Sequence, residues 1–145
     1  MRLSAIFRAL AKFSETLPVI LPLHPRARAR AGDLIDTLPK TVLIQPPLPY
    51  GDTAALLTHC AILATDSGGL QKEAVFAGVP CVTLRDETEW TETVAAGWNK
   101  LAGADEQAIA SAIAELLRSP RGAPPDYGDG DAAGKILAVI RDRCA

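Results

Sequence analysis

Residues 61–74 constrain the fold of this chain more than any other stretch of its sequence. An apolar run ends in Thr-Asp, the turn Ser67-Gly68-Gly69 follows, and residues that favour helix come next. This order predicts a buried strand, a tight turn and the start of a helix. The unpaired N–H groups and positive dipole end of such a helix suit a phosphate or diphosphate. Glu73 lies about one to two turns further along, where its carboxylate could accept hydrogen bonds from sugar hydroxyls.

Apolar strand patterns and helical patterns alternate along the rest of the chain. The predicted strands cover residues 18–23, 41–45, 61–65, 79–84 and 98–102. The predicted helices cover residues 3–15, a short segment within 26–36, 53–59 with Asp52 as its cap, the segment from the glycine turn to 77, 91–96, 104–118 and 131–143. Continuous apolar strands between helices predict an α/β fold, in which helices cover both faces of a Rossmann-like parallel sheet.

Polar residues follow three of the predicted strands. Ligands of parallel sheets bind at the carboxyl ends of the strands, so His24, the turn at residues 67–69 and Arg85 are expected to line one pocket. Two of the candidate site residues, His24 and Glu73, have a second interpretation. His24 could be a structural histidine at a strand end, and Glu73 could be a helix-surface residue paired with a lysine. Asp66 is expected to cap the helix that follows the turn.

Bulk composition narrows the class of protein. The chain has 145 residues, of which 48% are hydrophobic and 22% charged, as expected for a single globular domain. A net charge of −2 gives no basic field for nucleic acid, and no apolar run approaches the ~20 residues that span a bilayer. Three cysteines without a CxxC pair indicate reduced thiols in a cytoplasmic protein. No spacing of His, Cys, Asp and Glu suggests a metal site, and no cofactor is expected.

Four segments together resemble the motifs of non-hydrolysing UDP-N-acetylglucosamine 2-epimerases. Residues 65–74 (TDSGGLQKEA) are similar to that family's TDSGGxQEEA, and residues 78–89 (GVPCVTLRDETE) to its GxPVxxLRDxTE. Residues 24–26 (HPR) are similar to its strand-end histidine motif, and residues 127–130 to the YGDG before its last helix. The run RDETEW with the later GWN is closest to the branch that acts on UDP-diacetamido-uronic acids in surface-polysaccharide synthesis.

The resemblance implies a two-domain, glycosyltransferase-B-like enzyme with its substrate in the cleft between the domains. The implied reaction inverts C2 of a UDP-N-acetylhexosamine by eliminating UDP to a glycal-type intermediate and adding it back. This chain matches only the C-terminal half, so residues 1–145 are interpreted as one UDP-sugar-binding Rossmann-like domain without the N-terminal catalytic domain. The expected partners are a UDP-sugar and either a protein carrying the N-terminal half or further copies of this chain, but neither nucleic acid nor a membrane.

The resemblance also implies roles for individual residues of this chain. The turn at residues 67–69 would hold the diphosphate, and Glu73 would bind the ribose hydroxyls. His24 would contact the sugar–phosphate region and assist catalysis, while Arg85 would line the cleft.

The chain departs from the family pattern at several positions. Lys72 stands where the motif has the first of two glutamates, and Thr53 where some members have an aromatic residue on the uracil. The strand that the family places before the helix at 3–15 is not in this sequence. That strand is central in a doubly wound sheet, so its neighbours, at 18–23 and 61–65, would lose their shared partner. We predict that these two strands pair directly, or that another chain or a second copy fills the gap.

Two other functions fit the same residues. The chain could be the donor-nucleotide-binding half of a glycosyltransferase, although the motif at residues 85–89 argues against it. It could also be a non-catalytic nucleotide-sugar-binding module.

Overall fold

The computed structural model describes residues 2–118 and 122–144, which alternate between helices and short strands as the sequence predicts. The strands are β1 (Val19–Pro22), β2 (Val42–Gln45), β3 (Leu63–Thr65), β4 (Cys81–Thr83) and β5 (Asn99–Leu101). The α-helices are α1 (Arg2–Phe13), α2 (Pro25–Ala31), α3 (Tyr50–His59), α4 (Gly68–Phe76), α5 (Thr91–Ala95), α6 (Glu106–Arg118) and α7 (Ala132–Cys144). A 3-10 helix covers Gly32–Thr37.

Every strand pairing within the described residues is parallel, which confirms the predicted α/β architecture. β1 pairs with β2, from Val19 opposite Val42 to Pro22 opposite Gln45. β4 lies between β3 and β5 in a second sheet. Because β3 and β4 run in the same direction, the segments that leave their carboxyl ends lie at one edge of that sheet.

The strands form two separate sheets, so the predicted direct pairing of β1 with β3 is wrong. Helix α1 packs against both sheets. Phe7 contacts the apolar cluster beside β1, and Ala9 contacts the cluster that contains Val82 of β4. The other predicted solution, a strand from another chain or copy, stays a prediction.

Helix α6 packs on α1 and on β4 to form the main core. Its apolar side chains repeat at helical spacing, as the sequence pattern predicts. The buried members of that face are Ile109, Ala112, Ile113 and Leu116. Full burial of one such aliphatic side chain stabilises the fold by about 1.5–3 kcal/mol.

Helix α3 begins at Tyr50, earlier than expected, and Pro49 rather than Asp52 precedes it. The Thr53 N–H donates to the Pro49 carbonyl oxygen at 3.0 Å, so helical hydrogen bonding starts before Asp52. Asp52 does not cap the helix. It lies in the first turn, where its carboxylate interacts favourably with the positive end of the helix dipole.

Helix α7 leaves an apolar row uncovered. The side chains of this row are between 50% and 58% exposed, and they are Ile136, Leu137, Val139 and Ile140. Among residues 2–118 and 122–144, no helix has the length and apolar character needed to cross a membrane.

Candidate functional site

The turn after β3 carries the first part of the site. The Ser67 N–H donates to the Thr65 hydroxyl oxygen at 3.1 Å, and the Ser67 hydroxyl oxygen accepts from the Leu70 N–H at 3.5 Å. Ser67 is therefore the cap of α4, and the expectation that Asp66 caps this helix is wrong. Ser67 has the extended backbone that a cap needs, whereas Asp66 lies one residue too early. The Asp66 carboxylate lies instead beside an open pocket.

The two glycines of the turn have different surroundings. A Cβ at Gly68 would overlap the carboxylate of Glu89, so a larger residue at this position would require the Glu89 side chain to move. A Cβ at Gly69 would meet only the Ser67 hydroxyl oxygen, at 3.9 Å. The space around Gly69 is thus open to a ligand, while the space beside Gly68 is occupied by the protein.

A polar pocket of about 630 Å³ opens beside this turn, at the carboxyl ends of β3 and β4. Six residues line it, and they are Arg2, Asp66, Leu84, Arg85, Asp86 and Glu87. Two ion pairs hold its rim: Arg85 lies 3.2 Å from Glu89, and Arg2 lies 2.6 Å from Asp86. Of the residues expected to share one pocket, only Arg85 is among its described lining residues, and Arg85 connects to the turn through Glu89, whose carboxylate lies against Gly68. Nothing in the sequence singled out Arg2, because only the packing of α1 brings its first turn to this edge.

Glu73 lies on α4, one to two turns beyond the glycines, and is half-buried. Within the described part of the chain its carboxylate has no hydrogen bond or ion pair, so the alternative of a lysine-paired surface residue has no support. The carboxylate remains available to accept hydrogen bonds from a ligand.

A buried polar network lies beneath the site, and the sequence analysis missed it. Asn99 is 1% exposed; it accepts from the Thr83 hydroxyl at 2.8 Å and donates to both Gln71 Oε1 and the Thr93 hydroxyl at 3.2 Å. The Thr88 hydroxyl also donates to Gln71 Oε1, at 2.6 Å. The network therefore ties α4 to the loop after β4 and to β5. The sequence does contain a sign of this network: polar residues stand at positions where the strand and helix patterns predict apolar ones.

His24 is not among the residues that line the polar pocket. It follows β1, in the other sheet, and its exposed side chain caps α2 by accepting a hydrogen bond from the Arg26 N–H at 3.2 Å. No hydrogen bond or ion pair among the described residues joins His24 to the turn at Ser67 or to Arg85. The structural reading of His24 has direct support, and its catalytic role stays a prediction.

Possible metal ligands and the cysteines are the other candidates for chemistry at the polar site. In the part of the chain that the structure describes, no group of three or more His, Cys, Asp and Glu residues could hold a metal ion. Cys60 and Cys81 are free thiols. Burial raises the pKa of Cys81 to about 12, so this thiol stays protonated and is a poor nucleophile.

Known proteins match this chain over nearly its whole length. Residues 1–141 match the sequence model of the family described as UDP-N-acetylglucosamine 2-epimerase. The UDP-2,3-diacetamido-2,3-dideoxy-D-glucuronate 2-epimerase of Pseudomonas aeruginosa is 41% identical over 141 residues, which make up 96% of this chain and 39% of that protein.

Solved structures share the fold. The UDP-GlcNAc 2-epimerase of Methanocaldococcus jannaschii, crystallised in complex with UDP-GlcNAc and UDP, has a TM-score of 0.84 and 32% identity over 97% of this chain and 40% of its own. The glycosyltransferase of kitacinnamycin has a TM-score of 0.60 at 18% identity, over 93% of this chain and 34% of its own, which shows a shared fold alone. The chain thus spans about 40% of the length of the relatives that it matches.

Proposed function

Because this chain belongs to the UDP-N-acetylglucosamine 2-epimerase family, we propose that it is the UDP-binding half of an enzyme that inverts C2 of a UDP-N-acetylhexosamine. The observation that carries this proposal is the Ser67-capped glycine turn at the start of α4, which opens beside Arg85. A helix N-terminus offers free N–H donors and a positive dipole end to a diphosphate.

Each part of the site has a role in holding UDP. Ser67 and the N–H groups of Gly68 and Gly69 bind the diphosphate oxygens. Glu73, whose carboxylate has no partner in the described chain, accepts hydrogen bonds from the two ribose hydroxyls. The Arg85 guanidinium faces the pocket, where it stabilises negative charge on the sugar side of the diphosphate.

These groups assist the departure of UDP. In the elimination step a base removes the C2 proton, a C1–C2 double bond forms, and the C1–O bond electrons leave with UDP. A proton then returns to C2 on the opposite face, while UDP adds back to C1 on its original face and the C1–O bond reforms. The positive end of α4 and Arg85 stabilise the released diphosphate, which lowers the barrier to the first step. His24 and residues outside this chain supply the proton transfers.

Residues outside these 145 complete the site. The chain spans about 40% of its relatives' length. β1 and β3 each pair on one side only within the described residues, and α7 leaves its apolar row exposed. These surfaces support a partner that supplies the N-terminal half, or a second copy. The similarity to the Pseudomonas aeruginosa relative supports a UDP-diacetamido-uronic acid as the substrate.

Calorimetry with UDP tests the binding half of this proposal. The purified chain is expected to bind UDP. Ser67→Ala removes the helix cap and a hydroxyl, which together contribute ~0.5–2 kcal/mol, so it should weaken the binding of UDP about threefold to thirtyfold. Ser111→Ala, on the exposed face of α6, is the matched control and should change nothing. Glu73→Gln should weaken the binding of UDP but not that of inorganic pyrophosphate, which has no ribose. Absence of UDP binding at millimolar concentration would contradict the proposal.

Complementation separates epimerisation from the two other functions. We expect no epimerisation by this chain alone, and turnover of UDP-N-acetylglucosamine or a UDP-diacetamido-uronic acid when the N-terminal part of the Pseudomonas aeruginosa relative is added. The shared fold with a glycosyltransferase keeps a donor-binding half as the second candidate, and transfer of the sugar to an acceptor without C2 inversion would favour it. Tight UDP-sugar binding without turnover in either mixture would favour the binding module.

A further inference from the structure

Three aromatic rings surround the ammonium group of Lys72. Its Nζ lies 4.3 Å from the centre of the Tyr127 ring, 4.4 Å from that of Trp90 and 5.8 Å from that of Phe76. Each ring face carries negative charge density that attracts a cation within about 6 Å. Lys72 has no ion pair among the described residues, so the rings are its partners there. We call Lys72 and these three rings the lysine cage.

The lysine cage joins three separate segments of the chain. Lys72 and Phe76 lie one turn apart on α4, Trp90 precedes α5, and Tyr127 belongs to the segment between α6 and α7. Phe76 and Tyr127 meet edge to face, with ring centres 5.1 Å apart. The Tyr127 hydroxyl donates to Glu92 Oε1 at 3.0 Å. Burial, with the Glu92 hydrogen bond and charge, raises the pKa of Tyr127 to about 12, so the phenol stays a neutral donor.

Trp90 connects the lysine cage to the diphosphate turn. Its indole N–H donates to the Gly68 carbonyl oxygen at 2.8 Å, and its backbone N–H donates to the Thr88 hydroxyl at 3.1 Å. Thr88 in turn donates to the buried Gln71 on α4. Any displacement of the Trp90 ring therefore moves a group that is hydrogen-bonded to the first residue of α4.

We propose that Lys72 is a positioning residue that fixes Trp90 and the Tyr127 segment against α4, and thereby keeps the turn at Ser67–Gly69 in its ligand-binding shape. Lys72 acts through the rings and not by contacting the diphosphate, because its ammonium is already enclosed between Trp90 and Tyr127. The glutamate usual at this position in the family motif has no attraction to ring faces. The inference rests on the proposed UDP binding for its functional consequence only.

A double-mutant cycle between Lys72 and Tyr127 tests this role through UDP affinity. Lys72→Met and Tyr127→Leu should each weaken UDP binding about threefold to tenfold, and the double variant should be no weaker than either single variant. Lys72→Arg keeps a cation over the rings and should bind within about twofold of the wild type. Lys40→Met, which removes an exposed lysine before β2, is the matched control. Losses that multiply in the double variant, or unchanged binding by Lys72→Met, would overturn the role.

Proteolysis tests the lysine cage without any ligand. Chymotrypsin cleaves after tyrosine, and Lys72→Met should raise the rate of cleavage after Tyr127 severalfold, while Lys72→Arg and Lys40→Met should leave it unchanged. Equal cleavage rates in all four proteins would refute the structural part of the inference. If the wild type does not bind UDP, the proposed function fails, whereas the cleavage result still decides whether Lys72 holds the segment.

Discussion

Replacing Gly68 by valine should weaken the binding of UDP about 100-fold, which corresponds to ~2.7 kcal/mol. The Cβ position lies against the Glu89 carboxylate, and valine adds two methyl groups beyond it. The flexible Glu89 side chain must then leave its place, which breaks its ion pair with Arg85 and crowds the start of α4. The expected loss is that of one to two hydrogen bonds to a charged group. Calorimetry with UDP measures it directly.

Gly51→Val is the matched control for this prediction. Gly51 also lies near the start of a helix, α3, and a Cβ there meets nothing within 4 Å. The Gly51→Val variant should bind UDP with the same affinity as the wild type. Binding by Gly68→Val within about threefold of the wild type would show that the turn does not hold the diphosphate.

Replacing Asn99 by leucine is expected to lower the free energy of unfolding by about 3 kcal/mol. Asn99 is almost fully buried and joins Thr83, Gln71 and Thr93 through its amide. Leucine has a similar volume but leaves the Thr83 hydroxyl without its acceptor and Gln71 without one of its two donors. Among the described residues, the buried Gln71 Nε2 already has no hydrogen-bond partner, so the substitution adds to an existing unpaired group. Urea unfolding followed by circular dichroism provides the measurement.

Lys100→Met controls for substitution in the same strand. Lys100 forms an ion pair with Glu115 at the surface, and exposed pairs of this kind contribute about 0–1 kcal/mol. An Asn99→Leu variant as stable as Lys100→Met would mean that the buried amide contributes no more than a surface charge. The same experiment reports on the site, because this network anchors α4 beneath the turn.

The local elements could be predicted because their causes are local. The spacing of apolar residues over α6 and the glycine turn before α4 follow from short stretches of sequence. Cap identity was harder to predict, since Asp66 and Ser67 are both good caps and only the backbone angles choose between them. The start of α3 was missed for a related reason: Tyr50 and Gly51 have low helix propensity, yet they form its first turn after Pro49.

Longer-range features required the tertiary structure. Arg2 reaches the pocket only because α1 packs across both sheets, and Lys72 meets Trp90 and Tyr127 only after residues far apart in sequence are folded together. The separation of β1 from β3 into two sheets likewise appears only in the folded chain. Such contacts carry no periodic signal along the chain.

The sequence by itself determined the parallel α/β class, the place of the glycine turn at a strand end and the motifs that relate the chain to its family. Those features depend on residue order over short distances, where apolar periodicity and glycine conformation act directly. The tertiary structure alone decided that Gly68 packs against Glu89, that Asn99 unites the elements beneath the site, and that His24 caps α2 without lining the pocket of Arg85. These outcomes arise from the packing of side chains distant in sequence, where steric fit and buried hydrogen bonds select one arrangement.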